Sequence, residues 1–234
     1  MQHLLKEVIK LIIWKGINFK DKGIIVEKIP DIIKGKKKIN TISVEGRSGF
    51  ITQDTGTYES FNLSLECHFD NDKHNHDDIF SFLDGYGKLS LDGIREYTAI
   101  IQNSISLEKI SKFRKFIVQF LVNPISEEIN ETNVNIETTP YSLNIDKATA
   151  EMYPILEITG TGNIQITFNN KTFHLLDING TYILDCKEKV ITKDNINASN
   201  KMLYDFPTLK PGQNEISYIG NITNFKIKYK RSFL

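Results

Sequence analysis

The stretch FNLSLECHF, residues Phe61–Phe69, decides the fold class of this chain. Apolar and polar side chains alternate strictly along it, and a period of two is typical of a β-strand with one face buried and one face in water. Cys67 stands on the apolar side, where a thiol is most often part of the core. The stretch therefore predicts a β-sheet that is covered on one side.

A short helix is predicted directly after this strand. Asn75 can cap its amino end, because an asparagine side chain accepts a hydrogen bond from an unpaired backbone amide there. Ile79, Phe82 and Leu83 recur at helical spacing and form one apolar stripe. Gly85 suits the left-handed backbone position that follows many helices. The expected arrangement is one helix packed on the strands.

Two further strands are expected, at Tyr97–Gln102 and Phe113–Val122. Large apolar side chains share one face of the second strand: Phe116, Val118, Phe120 and Val122. Ile117 and Leu121 make the opposite face apolar as well, so this strand is expected to be buried on both sides or covered by a partner. Pro124 is expected to end the strand, since proline cannot donate a backbone hydrogen bond.

The remaining chain suggests a second domain. Met1–Trp14 carries a helical apolar stripe, predicted as a short docking helix that leads into a strand. Charged residues interrupt the stripe, so neither a signal peptide nor a membrane span is expected. From Ile125 to about Tyr153 the periodicity is lost, which indicates a linker and the first edge of another domain. We therefore predict two domains, residues 1–130 and 131–234.

The second domain reads as a series of short strands. The expected strands and turn are Ile164–Phe168, a hairpin turn at Asn169-Asn170, Lys171–Leu176, Tyr182–Leu184 and Phe225–Tyr229. Short strands of regular spacing, separated by turn signals, are typical of a β-sandwich. The predicted fold class is therefore mostly β: an α+β first domain with β-sheets and one or two short helices, followed by a β-sandwich.

Composition and motifs exclude several classes of function. The 29 Lys and Arg residues balance the 29 Asp and Glu residues, so no binding of nucleic acid is expected from charge. Cys67 and Cys186 are too few and too far apart for a disulfide framework or a zinc site. No serine-hydrolase, zinc-protease or phosphate-loop motif occurs. We predict no catalytic residue, cofactor or metal, although the two carboxylates of a glycosidase could still meet in the fold.

Two features allow both a structural and a functional interpretation. His74, His76 and Asp77 supply three potential metal ligands in one short loop, but a solvated helix entry explains the same residues. The second domain is rich in aromatic residues between Tyr153 and Tyr229. A sandwich core needs such side chains, whereas two or three of them exposed together would form a sugar-stacking platform.

Two motifs carry a resemblance to a known family. VEGRSG at Val44–Gly49, with Tyr58 downstream, resembles the I-P-G-R-x-G … Y segment of the distal tail proteins of long-tailed (siphovirus-type) phages. FPTLKPGQN at Phe206–Asn214 resembles the most specific motif of that family, and FLVNP at Phe120–Pro124 is similar to one of its strand ends. Glu45 replaces the usual proline, which leaves the turn less rigid. The resemblance extends over almost the whole chain.

The resemblance implies a structural protein of the phage tail rather than an enzyme. Such a protein is made in the cytoplasm of the bacterial host and ends up in the virion, as a ring that is expected to be a hexamer. The ring would connect the tail tube protein to the tail-associated lysin or baseplate hub, and it could carry receptor-binding proteins. Its second domains, similar to galectins and carbohydrate-binding modules, would project outward. The alternative function is a carbohydrate-binding module that recognises the host cell wall.

The resemblance also points to interface residues. The first domains would form the ring through strand pairing between subunits, and a head-to-tail ring needs two different contact surfaces on each subunit. We predict Arg47 as an anchoring fork at one contact, because its guanidinium makes paired hydrogen bonds. An equally good interpretation is that the Arg47 side chain covers the end of a sheet. Phe116, Val118 and Phe120 are the candidates for the second contact surface.

Overall fold

The computed structural model describes residues 11–28, 30–31 and 33–234. The strands of this part of the chain are β1 (Ile13–Trp14), β2 (Ile17–Asn18), β3 (Ile25–Val26), β4 (Lys37–Ser43), β5 (Phe50–Tyr58), β6 (Phe61–Asp70), β7 (Tyr86–Ser90), β8 (Arg95–Ile101), β9 (Glu108–Ile110), β10 (Phe113–Glu128), β11 (Thr132–Asn135), β12 (Tyr141–Ile145), β13 (Ile155–Phe168), β14 (Lys171–Asp185), β15 (Val190–Lys193), β16 (Ile196–Asn197), β17 (Met202–Leu203), β18 (Gly212–Tyr229) and β19 (Ser232–Phe233). They are accompanied by one α-helix, α1 (His76–Phe82), and by 3-10 turns at Phe19–Lys22 and Ser199–Lys201. The predicted mostly-β fold class is confirmed. Most of the helix predicted for Met1–Trp14 lies outside the described residues.

The chain divides into two compact units. The first comprises the residues up to Ser126 together with Leu234, and the second comprises Glu127–Phe233. Each unit has a hydrophobic core of its own.

The first unit is built on a sheet with the strand order β2-β1-β7-β8-β10-β6-β3. β6 and β10 are antiparallel neighbours, with Leu63 opposite Phe120 and Leu65 opposite Val118. These side chains are buried, whereas the polar residues between them on β6, such as Ser64, are exposed or half-buried. The alternation that the sequence predicted for this strand is confirmed, and it defines the covered face of the sheet.

Helix α1 belongs to the core on this covered face and buries Phe82. Trp14 Nε1 donates a hydrogen bond of 3.1 Å to Phe82 O. The Trp14 ring lies edge-on to Phe120, with 5.0 Å between the ring centroids. Asn75 Oδ1 accepts a hydrogen bond of 3.2 Å from Asp77 N, as predicted for the helix cap. Trp14, α1 and the apolar row of β10 thus belong to one core.

β10 does not end before Pro124, as the sequence predicted, but continues to Glu128. Its pairing with β6 ends where Val122 lies opposite Phe61. Pro124 therefore stands beyond that ladder, where the missing amide proton costs no hydrogen bond to β6. The end of β10 takes another partner, since Glu128 N donates a hydrogen bond of 2.9 Å to Arg231 O.

The second unit is one sheet that curls into two half-sheets around a core. Its three long strands are neighbours in the order β18-β13-β14. β18 pairs with β12 through its first residues, Gly212–Ile216, and with β11 through its last residues, Lys226–Tyr229. β14 pairs with β17 near its start and with β15 near its end. Because the two ends of these strands have different outer partners, they form the two layers of a β-sandwich-type fold.

Two close-packed glycines mark the bend between the half-sheets. The pairing of β13 with both of its neighbours is interrupted there by register shifts, which indicate β-bulges. A Cβ atom on Gly160 would lie 2.4 Å from Asn221 O. Gly220 has a φ of 124°, and a Cβ atom there would lie 2.7 Å from Asn163 O. The sequence predicted Ile164–Phe168 as a separate short strand, because the bend hides the continuity of β13.

Asn214 explains why the FPTLKPGQN motif has a defined structure. Its side chain is fully buried, and its Oδ1 accepts hydrogen bonds of 2.8 Å from Lys210 N and from Asn169 Nδ2. Its Nδ2 donates hydrogen bonds to Lys210 O at 2.8 Å and to Gly212 O at 3.1 Å. One side-chain amide thus ties the loop before β18 to the turn between β13 and β14.

Candidate subunit interface

β4 and β5 form a two-stranded hairpin, here named the hairpin arm (Lys37–Tyr58). Within the described part of the chain its strands pair only with each other. All residues of β4 are exposed, and so are all residues of β5 except the half-buried Tyr58. A two-stranded hairpin without a covered face is at best marginally stable in water. This arrangement favours a role in which another surface covers the arm.

The hairpin arm presents large apolar side chains on both faces. Ile42 and Ile51 lie opposite each other on one face and are 51% and 42% exposed. Ile39 and Phe50 lie on the other face, where Phe50 is 66% exposed. A cluster of exposed apolar side chains on one element is typical of a surface that contacts another protein.

The turn of the hairpin arm is the VEGRSG motif. Arg47 N donates a hydrogen bond of 3.2 Å to Val44 O. Gly46 and Gly49 have φ values of 78° and 88°, a backbone conformation that glycine adopts without strain. Arg47 itself is exposed. The predicted anchoring residue therefore lies on an exposed turn, where its guanidinium is accessible to a carboxylate of another chain.

Polar contacts hold the two strands of the arm in register. Lys37 and Asp54 form an ion pair, and Asp54 Oδ1 accepts a hydrogen bond of 2.9 Å from Gly56 N. The hydrogen bond between the two side chains raises the pKa of Lys37 and lowers the pKa of Asp54. At the base of the arm, Glu59 N donates a hydrogen bond of 2.7 Å to Lys36 O. None of these contacts covers the apolar side chains.

Phe116, Val118 and Phe120, which the sequence predicted for a subunit contact, lie in the core of the first unit. Their exposed fractions are 3%, 0% and 0%. They share this core with Trp14 and with α1, both of which are distant in sequence from β10, and the Trp14 ring lies against Phe120. The three side chains therefore stabilise the first unit itself and are not available for contact with another molecule. The opposite face of β10 is open, with Ile117 51% exposed.

This outer face of β3, β6 and β10 is a second candidate contact surface. Ile25 and Ile117 are both about half exposed on it. Beside them, Glu27 Oε2 accepts a hydrogen bond of 2.8 Å from Lys115 Nζ, and Glu27 Oε1 lies 3.1 Å from His68 Nδ1. The hydrogen bond from Lys115 lowers the pKa of Glu27. The face thus combines exposed apolar groups with a fixed pattern of charge, as protein contact surfaces commonly do.

His74 and the two cysteines, which are candidates for metal or thiol chemistry, pack against other residues of the protein. The His74 ring packs against the backbone of Gly23, where a Cβ atom would lie 2.1 Å from His74 Nε2. Across the described ranges, no group of three or more His, Cys, Asp or Glu side chains is placed to hold a metal ion. Burial raises the pKa of Cys67 to about 12 and also raises the pKa of Cys186, so both thiols are protonated at neutral pH.

Residues 11–28, 30–31 and 33–234 contain no helix that is both long and apolar enough to span a membrane.

The apolar residues of the hairpin arm were missed by the sequence analysis. The sequence does indicate the hairpin itself, since Ile39 and Ile42 precede a glycine-bracketed turn and Phe50 and Ile51 follow it. It does not indicate that these apolar side chains are exposed. An apolar residue on a strand is normally expected in the core. Only the tertiary structure shows that residues 11–28, 30–31 and 33–234 leave both strands of this hairpin exposed.

The sequence matches neither a protein-family model nor a curated protein. Its fold, however, is similar to that of a phage protein whose structure is described in connection with a hub adsorption apparatus. The solved structure in question is the crystal structure of SPP1 Dit (gp 19.1), described as a paradigm of the hub adsorption apparatus in phages that infect Gram-positive hosts. The TM-score is 0.78, the match covers 95% of this chain and 98% of the Dit chain, and 12% of the residues are identical. The resemblance to distal tail proteins is confirmed at the level of the fold.

Proposed function

We propose that this protein is a structural component of a phage tail, located in the virion at the distal end of the tail. The observation that carries the proposal is the extent of the fold match, which includes both units and almost all of the Dit chain. In this role the protein connects the tail tube protein to the baseplate hub or tail-associated lysin. No bond is made or broken in this role, so we infer that the protein is not an enzyme.

We further propose that the protein acts as a ring, expected to be a hexamer, and that the hairpin arm makes the ring contact. A head-to-tail ring requires two different surfaces on each subunit. The hairpin arm, with Ile42, Ile51 and Phe50 exposed, supplies the first. The outer face around Ile117 supplies the second. A stable contact of this kind buries about 1,600 Å² in total, which an extended arm lying across a neighbouring sheet can provide.

The test is the oligomeric state of the full chain, measured by native mass spectrometry and negative-stain electron microscopy. We expect a discrete six-fold species for the wild-type protein. Ile42→Lys places a charge in the apolar contact and is expected to yield monomers, because a buried unpaired charge opposes association. Ile94→Lys is the matched control, since Ile94 is 63% exposed in the same unit but outside the arm. It is expected to assemble as the wild type does.

Arg47→Ala tests the anchoring role of the turn. We expect weaker assembly, visible as dissociation of the ring on dilution in light scattering. An unchanged ring would reject the anchoring role of Arg47 and leave the apolar contact intact. A full chain that stays monomeric both alone and with the tail tube and hub proteins of the same particle would overturn the ring itself.

A further inference from the structure

One half-sheet of the second unit turns a row of four side chains outward. Ile219 of β18 lies opposite Gln165 of β13, which in turn lies opposite His174 of β14. His174 lies opposite Leu203 of β17. The residues on either side of Gln165 point into the core and are at most 1% exposed, so Gln165 and its cross-strand partners face away from the core. We name these four side chains the outer row.

Both ends of the outer row are apolar and exposed. Ile219 is 71% exposed at one end, and Leu203 is 47% exposed at the other. Tyr204 extends the second end, since it is 73% exposed and its ring lies 5.6 Å from the ring of His174. A single exposed apolar residue is common on a protein surface, but three on one face of a half-sheet are typical of a surface that contacts another protein.

The middle of the outer row is polar. Gln165 and His174 are both half-buried, and within residues 11–28, 30–31 and 33–234 neither side chain has a hydrogen-bond partner. An amide and an imidazole can each donate and accept, so the two groups are complementary to each other. The row therefore has the order apolar, polar, polar, apolar, which is the same when it is followed from either end. A contact between two identical surfaces requires this kind of self-complementarity.

We propose that the outer row is the contact surface for a second copy of this chain. A two-fold axis that runs parallel to the strands, midway between β13 and β14, places Ile219 of each copy on Leu203 of the other. The same axis places Gln165 of each copy on His174 of the other, where amide and imidazole can form a hydrogen bond. The strands of the two copies are then aligned, as in the common packing of one sheet on another.

Charge does not oppose this contact. The outer row contains no lysine, arginine, aspartate or glutamate. The nearest carboxylate on the same face of β18 belongs to Glu215, four residues before Ile219. Neighbouring strands are about 4.8 Å apart, so the two-fold axis keeps the Glu215 side chains of the two copies about 14 Å apart. This distance exceeds the screening length of about 8 Å at physiological ionic strength.

The proposed pairing does not rest on the ring. A ring contact is head-to-tail and joins two different surfaces, whereas this contact joins the same surface of two copies and is complete with two. The outer row spans only four strands, so the contact is at the small end of specific protein interfaces. We therefore expect a reversible dimer with a Kd on the order of 10 μM.

Sedimentation velocity of the full chain carrying Ile42→Lys tests the pairing. The ring contact is expected to be lost in this variant, so pairs are observed apart from rings. Adding Ile219→Lys is expected to weaken the dimer by about tenfold or more, because the contact then contains a buried unpaired charge. The matched control is Ile196→Lys, since Ile196 is also 71% exposed in the second unit but lies on β16, off the outer row. The control is expected to dimerise as the parent does.

A charge pair between two chains tests the two-fold geometry. Leu203→Glu alone is expected to prevent pairing in the same way as Ile219→Lys. The two positions are three strands apart, about 14 Å, so the introduced charges can meet only between copies. An equimolar mixture of the two variants is therefore expected to form a dimer that neither forms alone. Thermal unfolding checks that both variants are folded, and their melting temperatures are expected to lie within about 3 °C of the parent value.

Several results would overturn the pairing. One is a parent that remains monomeric up to about 200 μM, well above the expected Kd. Another is a dimer that Ile219→Lys does not weaken, or a mixture of folded variants that does not pair. Binding of the tail tube protein through Ile219, without self-association, would assign the surface to that protein instead. Failure of the ring is measured separately, as the absence of a six-fold species for the wild-type chain.

Discussion

Replacement of Asn214 by alanine tests how the FPTLKPGQN motif holds the second unit together. The Asn214 amide is fully buried and makes four hydrogen bonds, two as acceptor and two as donor. Three of them go to the backbone of the preceding loop at Lys210 and Gly212, and one goes to the side chain of Asn169. Alanine removes all four and leaves their partners unsatisfied.

The size of the effect follows from these contacts. A hydrogen bond in a folded protein contributes a net stability of about 1 kcal/mol, so the loss of four corresponds to about 4 kcal/mol. Lys210 is exposed, and water can reach part of the loop once the side chain is shortened. We therefore expect the free energy of unfolding of the second unit to fall by about 3 kcal/mol.

Urea unfolding followed by far-ultraviolet circular dichroism measures this change, and hydrogen exchange locates it. Faster exchange is expected in peptides that cover residues 207–216 and 164–170. Asn144→Ala is the matched control, because Asn144 is exposed on β12 and is expected to change stability by less than about 0.5 kcal/mol. A loss below about 1 kcal/mol for Asn214→Ala would show that the buried amide does not hold the loop, and the reasoning from its four hydrogen bonds would be refuted.

Two further predictions concern the bend of the sandwich and the buried thiols. Gly220→Ala is expected to cost more than about 3 kcal/mol in urea unfolding, whereas Gly162→Ala, with a φ of 79° and nothing within 4 Å of its Cβ position, is expected to cost about 1 to 2 kcal/mol. Equal losses would show that the contact with Asn163 O is unimportant. Cys67 and Cys186 are expected to resist alkylation in mildly alkaline buffer until the protein unfolds, because burial raises the pKa of both thiols. Rapid labelling of the native protein would contradict their burial.

Local pattern accounts for what could be predicted from the sequence. The alternation of Phe61–Phe69 gave the correct strand and its buried face, because side-chain direction on a strand depends only on position along it. Asn75 and the apolar stripe of α1 were recognisable for the same reason, since a helix cap and a helix face are set by neighbouring residues. The mostly-β fold class and the sandwich followed from the number and spacing of such segments.

The sequence by itself thus determined which side chains share a face, and only the tertiary structure decided which faces are covered. The row of Phe116, Val118 and Phe120 is buried in a core that also contains Trp14 and α1, which lie far away in the chain. The hairpin arm also carries large apolar side chains, but it stays exposed because no element among the described residues packs over its two-stranded sheet. Whether a face is covered depends on contacts between segments that are distant in the sequence. Neither the hydrophobic periodicity nor the composition of the sequence predicts those contacts. For that reason the sequence predicted a subunit contact at Phe116, Val118 and Phe120 on β10, whereas the exposed apolar side chains of the structure lie on the hairpin arm.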